Sequence, residues 1–205
     1  MGQSPPSKNT AGFIHDLTDQ ELIDRFEEQC RPDIGRVKNK IDGFLGLDFY
    51  SDTGFIDATE SLMEVVKRDH EYVVSKLGEE GHKIIIEVLR ESIIKPALDK
   101  INTKDISDVS NVEVGNVLVR KIDYYGNQCC PFWSMGINDK NKPGKASCLG
   151  RGGVDYIITN KTTGEELFIP ALILHLIEAH HFYEGNVLHR VDPEKLIRVL
   201  EIKTL

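Results

Sequence analysis

Residues 164–181, Gly-Glu-Glu-Leu-Phe-Ile-Pro-Ala-Leu-Ile-Leu-His-Leu-Ile-Glu-Ala-His-His, change character at Pro170. Before the proline, Glu166-Leu167-Phe168-Ile169 reads as a strand; after it, Leu172, Ile173, Leu176 and Ile177 recur at helical spacing. A proline at the first helical position has its φ already set and gives up an N–H that has no partner there, so the helix is expected to start at Pro170 and to stop at Gly185. Upstream, Val154–Thr159 and the 166–169 strand flank Asn160-Lys161-Thr162-Thr163-Gly164, a hairpin with glycine where positive φ is wanted. Val112–Val114 and Val117–Tyr125 read as further strands, the second bounded by Gly126-Asn127. Asp192-Pro193 has the form of a capped helix start, and Leu196, Ile197, Val199, Leu200 and Ile202 carry that helix toward the C-terminus.

The first half of the chain reads differently. Thr18-Asp19-Gln20-Glu21 has the form of a capping box, followed by Leu22, Ile23 and Phe26 at helical spacing and closed by Pro32. Residues 33–46 make a weaker helix or loop, because Gly35 and Gly43 each lower helix stability by about 1 kcal/mol. A turn is expected at 51–54. The clearest helix runs from Asp57 or Thr59 to Leu77 and stops at Gly78; another runs from Glu79 to Ile101, kinked or split by Pro96. The two apolar stripes predict an antiparallel helical hairpin. A polar stretch from Asp105 to Asn111 marks a boundary, so the expected organisation is a tail (1–12), a helical region (13–103) and a module of strands and two helices (112–205), an α+β fold.

Composition narrows the function classes. The 205-residue chain is 40% apolar, enough for a real core, and carries 33 acidic against 25 basic side chains for a net charge of −8. That balance offers no attraction for nucleic acid or anionic lipid. No apolar run reaches the roughly 18–20 residues of a membrane span, and the start, MGQSPPSKNTAG, lacks the form of a secretory signal. The four cysteines, Cys30, Cys129, Cys130 and Cys148, are too few and too unevenly spaced for a disulfide framework, which predicts a reducing cytoplasm. A protein partner fits such a chain, and its oligomeric state is open.

Three cysteines and several histidines fall in the last eighty or so residues. A tetrahedral zinc site takes thiolate and neutral imidazole donors, and Cys129 or Cys130 with Cys148, His175 and His180 would make a Cys2His2 set. The spacing strains this reading: residues five apart on an ideal helix are rotated by about 140°, so a shared metal is expected to need the helix to break by Ala179. The plainer alternative makes His180 a hydrogen-bonded core residue, His175 and His181 partly exposed, and the cysteines buried thiols. A third reading is a nucleophile, Cys129 or Cys130, deprotonated by His175, His180 or His181. Gly150-Arg151-Gly152-Gly153 reads as a turn; Glu27-Glu28, Glu79-Glu80 and Glu165-Glu166 as solvated faces; and Asp57, Asp69 and His70 show no ligand spacing.

Cys130-Pro131-Phe132, then Cys148, then Gly164-x-x-Leu167-x-Ile169-Pro170-x-Leu172-Ile173-x-His175-x-x-x-x-His180-x-Phe182 resemble a scattered set of small bacterial proteins with no known reaction. Their pattern reads Cys-Pro-Phe followed by Pro-x-Leu-Ile-x-His-Tyr-Ile-x-x-His. The resemblance spans residues 128–185 and implies Cys130, Cys148, His175 and His180 as the recurring positions. This chain differs in Leu176 for the tyrosine, a doubled cysteine, a longer loop before Cys148 and no Pro-Pro after the second histidine. The expectation carried forward is a bacterial binding or regulatory protein with a structural zinc on those four residues, with a cysteine-dependent enzyme as the alternative.

Overall fold

A computed structural model describes residues 13–31, 54–102, 111–132 and 151–205, the side chains of 102, 124–129 and 151–153 excepted. The tail, the 33–46 segment, residues 51–53 of the expected turn, residues 105–110 of the polar boundary, and residues 133–150 with Cys148 among them lie outside the described residues.

A short 3-10 turn (Ile14–Asp16) leads to α1 (Gln20–Cys30), then α2 (Leu62–Leu77), α3 (Gly81–Glu87), a π-helical segment (Val88–Ile94) and α4 (Lys95–Asn102). The strands β1 (Val112–Val114), β2 (Val117–Cys129), β3 (Arg151–Asn160) and β4 (Glu166–Pro170) form one antiparallel meander in the order β1-β2-β3-β4, followed by α5 (Ala171–His180) and α6 (Pro193–Val199). The α+β fold expected from the sequence is therefore the fold observed.

Several boundaries moved, each for a local reason. The cap of α1 is Asp19, not Thr18: the Asp19 carboxylate accepts the Leu22 N–H at 3.2 Å. Helix α2 begins at Leu62, later than expected, and its first N–H is satisfied from another element, since Glu27 Oε2 accepts from Leu62 N at 2.8 Å. Glu27 is thus a cap and not a solvated face. The division expected at Pro96 falls just ahead of it, where Lys95 N–H reaches back five residues to Arg90 O. A wide turn there rearranges the carbonyls that a proline ring would otherwise meet one turn back. β2 runs through Gly126-Asn127 to Cys129, with its register against β3 shifting between Asp123 and Gln128, and Arg151-Gly152-Gly153 opens β3 instead of forming a turn. Pro170 is the last residue of β4 and the cap position of α5, one place earlier than its expected role.

The 160–164 hairpin is as expected. Asn160 Oδ1 accepts from Thr162 N and Thr163 N at 2.8 and 3.0 Å, and Gly164 takes φ +72°. Along the sheet, Val117, Val119, Tyr156, Ile158, Leu167 and Ile169 alternate inward, with α5 against β3 and α6 against β4. The helical region and the module share one continuous buried cluster, because α3 packs on α5 and Phe26 of α1 meets Phe132 beyond β2 edge to face at 5.4 Å. Among the described residues, no helix is long and apolar enough to cross a membrane.

The α2–α3 corner depends on a missing side chain. A Cβ on Gly81 would stand 2.7 Å from Val73 Cγ1 and 2.9 Å from Leu77 Cβ. Gly81→Ala is therefore expected to destabilise the fold by about 1–2 kcal/mol, overpacking outweighing the gain in helix propensity, as a lower urea midpoint at unchanged m-value.

Candidate metal centres

The first centre is built around Phe132. Cys130 leaves the end of β2, and two residues on Phe132 is fully buried, packed edge to face on Phe26, on Phe182 at 5.2 Å and on the His180 ring at 4.8 Å. That wedge brings Cys130 to α5: its Sγ lies 3.3 Å from His180 Nε2. His175 closes the group, its ring 5.3 Å from that of His180 at 80°. The donor atoms of Cys130, His175 and His180 all lie within 4.8 Å of one another, with Cys130 and His180 buried and His175 half-buried. Such a group could hold a metal ion. For comparison, sulfur and nitrogen bound to one tetrahedral zinc stand about 3.6 Å apart.

The expected break at Ala179 does not occur. α5 is helical through His180, and the two imidazoles meet regardless. Helical side chains lean toward the N-terminus, so the His180 ring bends back over the turn that carries His175, and two rotatable bonds in each residue take up the rest of the angle. Cys148 lies outside the described residues, as does the side chain of Cys129.

Immediately beyond, the backbone reverses hand. His181 takes φ 54°, ψ 37°, the left-handed cap of α5, four residues before the stop expected at Gly185. This turn sends neighbouring histidines to different places. His181 joins His15 from the 3-10 turn, His70 from α2 and His82 from α3 in a stack of rings. Centroids are 3.7 Å apart for His15 and His70 and 3.8 Å for His82 and His181, with Phe13 on the far side of His181 at 3.8 Å. The donor nitrogens of His15, His70 and His181 lie within 4.8 Å of one another. His15 Nε2 and His181 Nδ1 are 2.8 Å apart, His70 Nδ1 and His82 Nε2 are 2.9 Å apart, and His82 Nδ1 is 2.9 Å from the Tyr183 hydroxyl.

Crowding and burial favour the neutral form of His15, His82 and His181. Desolvation, then the neighbouring histidines, holds His82 down at about 2 and His181 at about 3, and burial with His70 beside it lowers His15. Neutral imidazoles keep a lone pair for a metal or a hydrogen bond.

Sequence reasoning missed this second group and offered His181 only as a partly exposed residue or a base for a cysteine. Its members come from four elements separated by up to 166 positions, so no local spacing marks them. The one available signal is the count: six of the seven histidines fall in the two groups. Asp69, also set aside, is buried and pairs with Arg190 through two contacts of 2.8 and 2.9 Å.

These features define an α+β protein with a cysteine–histidine group that could hold a metal. Comparison with protein-family models, with curated proteins and with solved structures finds no match.

Beside Tyr183, Glu184 is 3% exposed, and its Oε2 makes no hydrogen bond among the described residues. Burial pushes its carboxyl up to about 8 from the ordinary 4.5, the Arg190 charge opposing only in part. The folded chain therefore keeps a proton that the unfolded chain loses, and stability from this group falls as pH rises from about 4.5 to about 8, by up to about 1.4 kcal/mol per unit. Glu184→Gln mimics the neutral acid. Its stability relative to the wild type should grow across that window and level off above it, as read from urea midpoints at a series of pH values.

Proposed function

We infer that the chain is a metal-binding protein in which Cys130, His175 and His180 hold a structural zinc ion, in the setting of a binding or regulatory protein of the bacterial cytoplasm. The convergence of one thiol and two imidazoles within 4.8 Å, two of the three buried, carries this reading. Mixed sulfur and nitrogen donors suit zinc, which accepts both and has no geometric demand of its own. Charge argues for Cys148 as the fourth ligand. A divalent ion with one thiolate leaves a net positive charge in a buried place, whereas a second thiolate makes the centre neutral. A closed set of four protein ligands leaves no position for substrate, so the metal's work is to tie the end of β2 and the segment holding Cys148 to α5. Geometry, and not kinship, supports the reading.

A cysteine nucleophile draws support from the same 3.3 Å contact between Cys130 and His180, since a nearby imidazole favours the thiolate. Its difficulty is access: Cys130 has no exposed surface for a substrate to meet. Rapid alkylation of Cys130 by iodoacetamide at neutral pH, with the fold kept when it is replaced by serine, would favour the enzyme; slow labelling removes it.

Elemental analysis of the purified, untagged protein is expected to find zinc, and cobalt(II) substitution should produce a thiolate-to-metal charge-transfer band. Cys130→Ser and Cys148→Ser should each weaken or abolish that band. A free-ion level 100 times the dissociation constant stabilises the fold by about 2.7 kcal/mol. Losing that binding should lower the thermal midpoint by about 5–10 °C, at 2–4 °C per kcal/mol for a chain of this size. A metal-free protein of unchanged stability, with no thiolate band on adding cobalt, would overturn the reading.

A further inference from the structure

We propose that His15, His70 and His181 form a second metal site, built among the described residues from three imidazoles, that takes a borderline divalent ion such as zinc or copper(II). It shares no side chain with the Cys130 centre. Three ligands from three elements, the 3-10 turn, α2 and the cap of α5, bring their donor nitrogens within 4.8 Å of one another. His15 Nε2 and His181 Nδ1 stand 2.8 Å apart, against about 3.3 Å for two nitrogens on one tetrahedral zinc. The three rings lie within 17° of parallel, so loading requires ring rotation about the side-chain torsions to aim the in-plane lone pairs at one ion.

The surroundings have the form that ligated histidines need. A metal-bound imidazole usually donates its other N–H to a carboxylate or another acceptor, which fixes both tautomer and ring. His15 has Asp16 for this, with Nδ1 3.0 Å from Oδ1, leaving Nε2 as its ligand atom. His70 has His82, with Nδ1 2.9 Å from His82 Nε2, again leaving Nε2. Loading of the site would set the direction of the whole relay: His70 Nδ1 donates to His82 Nε2, and His82 Nδ1 donates to the Tyr183 oxygen at 2.9 Å. His82 and Tyr183 therefore act as positioning residues and not as ligands.

Donor chemistry and exposure choose the ion and the kind of site. Imidazole without thiolate suits copper(II), nickel(II) and zinc, with copper(II) bound most tightly in the general order of divalent ions. His15, His70 and His181 are each half-buried, placing the group at the protein surface beside exposed Phe13. Among the described residues the site has three protein ligands, and three with water or a small anion in the fourth position is the form of a reactive or sensing centre, unlike the closed set proposed around Cys130. The left-handed backbone at His181 is part of the device, since it is held by a bulky residue in a conformation that such residues adopt at a cost.

Untagged protein, stripped with chelator and titrated with copper(II) alone, tests the site by paramagnetic resonance and calorimetry. The expected result is one copper bound through three imidazole nitrogens and no sulfur. His15→Phe keeps a ring to stack on His70 but has no ligand atom, and His181→Asn tolerates the positive φ. Each should weaken that copper at least tenfold while leaving the cobalt thiolate band of the Cys130 centre unchanged. No copper with imidazole nitrogen coordination, or equal affinity in wild type and His15→Phe, would overturn the proposal and leave the rings as a structural stack. If His181→Asn fails to fold by circular dichroism, His15→Phe, altered on the short N-terminal turn, decides alone. Failure here does not touch the Cys130 centre, because the cobalt thiolate band reports on that centre separately.

Discussion

Phe132 is the contact on which the rest of the molecule turns. Its ring meets Phe26 of α1, Phe182 beyond α5 and the imidazole of His180, all edge to face. An aromatic side chain of this size buries some 150–250 Å² and prefers this geometry over face-to-face stacking. Because those three partners lie in the helical region, past the last turn of α5 and within it, one residue joins the two halves of the chain and sets the end of β2 against the histidine helix. The position of Cys130, two residues before it, follows.

The end of α5 does the complementary job. A regular helix carries His180 into the first group, and a single left-handed residue turns His181 away to the second. Most chains would place glycine at such a cap. A histidine here trades backbone comfort for a ring stacked between Phe13 and His82. The polar groups around it are supported from several directions: Asp69 and Arg190 pair, Arg190 also donates to the Glu184 carbonyl, and Tyr183 bonds His82. Buried polar side chains in such numbers are costly unless partnered, and nearly all of these are.

Legibility differed sharply between fold and site. The strand, proline and helix of residues 166–180, the hairpin at Asn160 and Gly164, the stop at Gly78 and the start at Asp192-Pro193 could be read because each is decided by neighbours a few positions apart. The starts of α1 and α2 were missed for the opposite reason in the second case: Glu27, 35 positions away, supplies the cap. For the first group, three residues, Cys130, His175 and His180, were foreseen, but the helix break thought necessary was not needed, since side-chain reach makes up for the angle. Of the second group, only His181, as a candidate base, and His70, as showing no ligand spacing, had been considered, because stacking between four elements leaves no trace in any local pattern.

What the sequence determined by itself was therefore the α+β class, the Asn160–Gly164 hairpin and several element ends, which rest on φ restrictions, capping and periodicity, all short-range. Tertiary structure alone decided which histidines meet. Imidazoles are short, polar and neutral when buried, so they can be gathered wherever the packing of large apolar groups leaves a polar seam. The position of that seam is a property of Phe132, Tyr183 and the helices around them taken together, and no segment carries it alone.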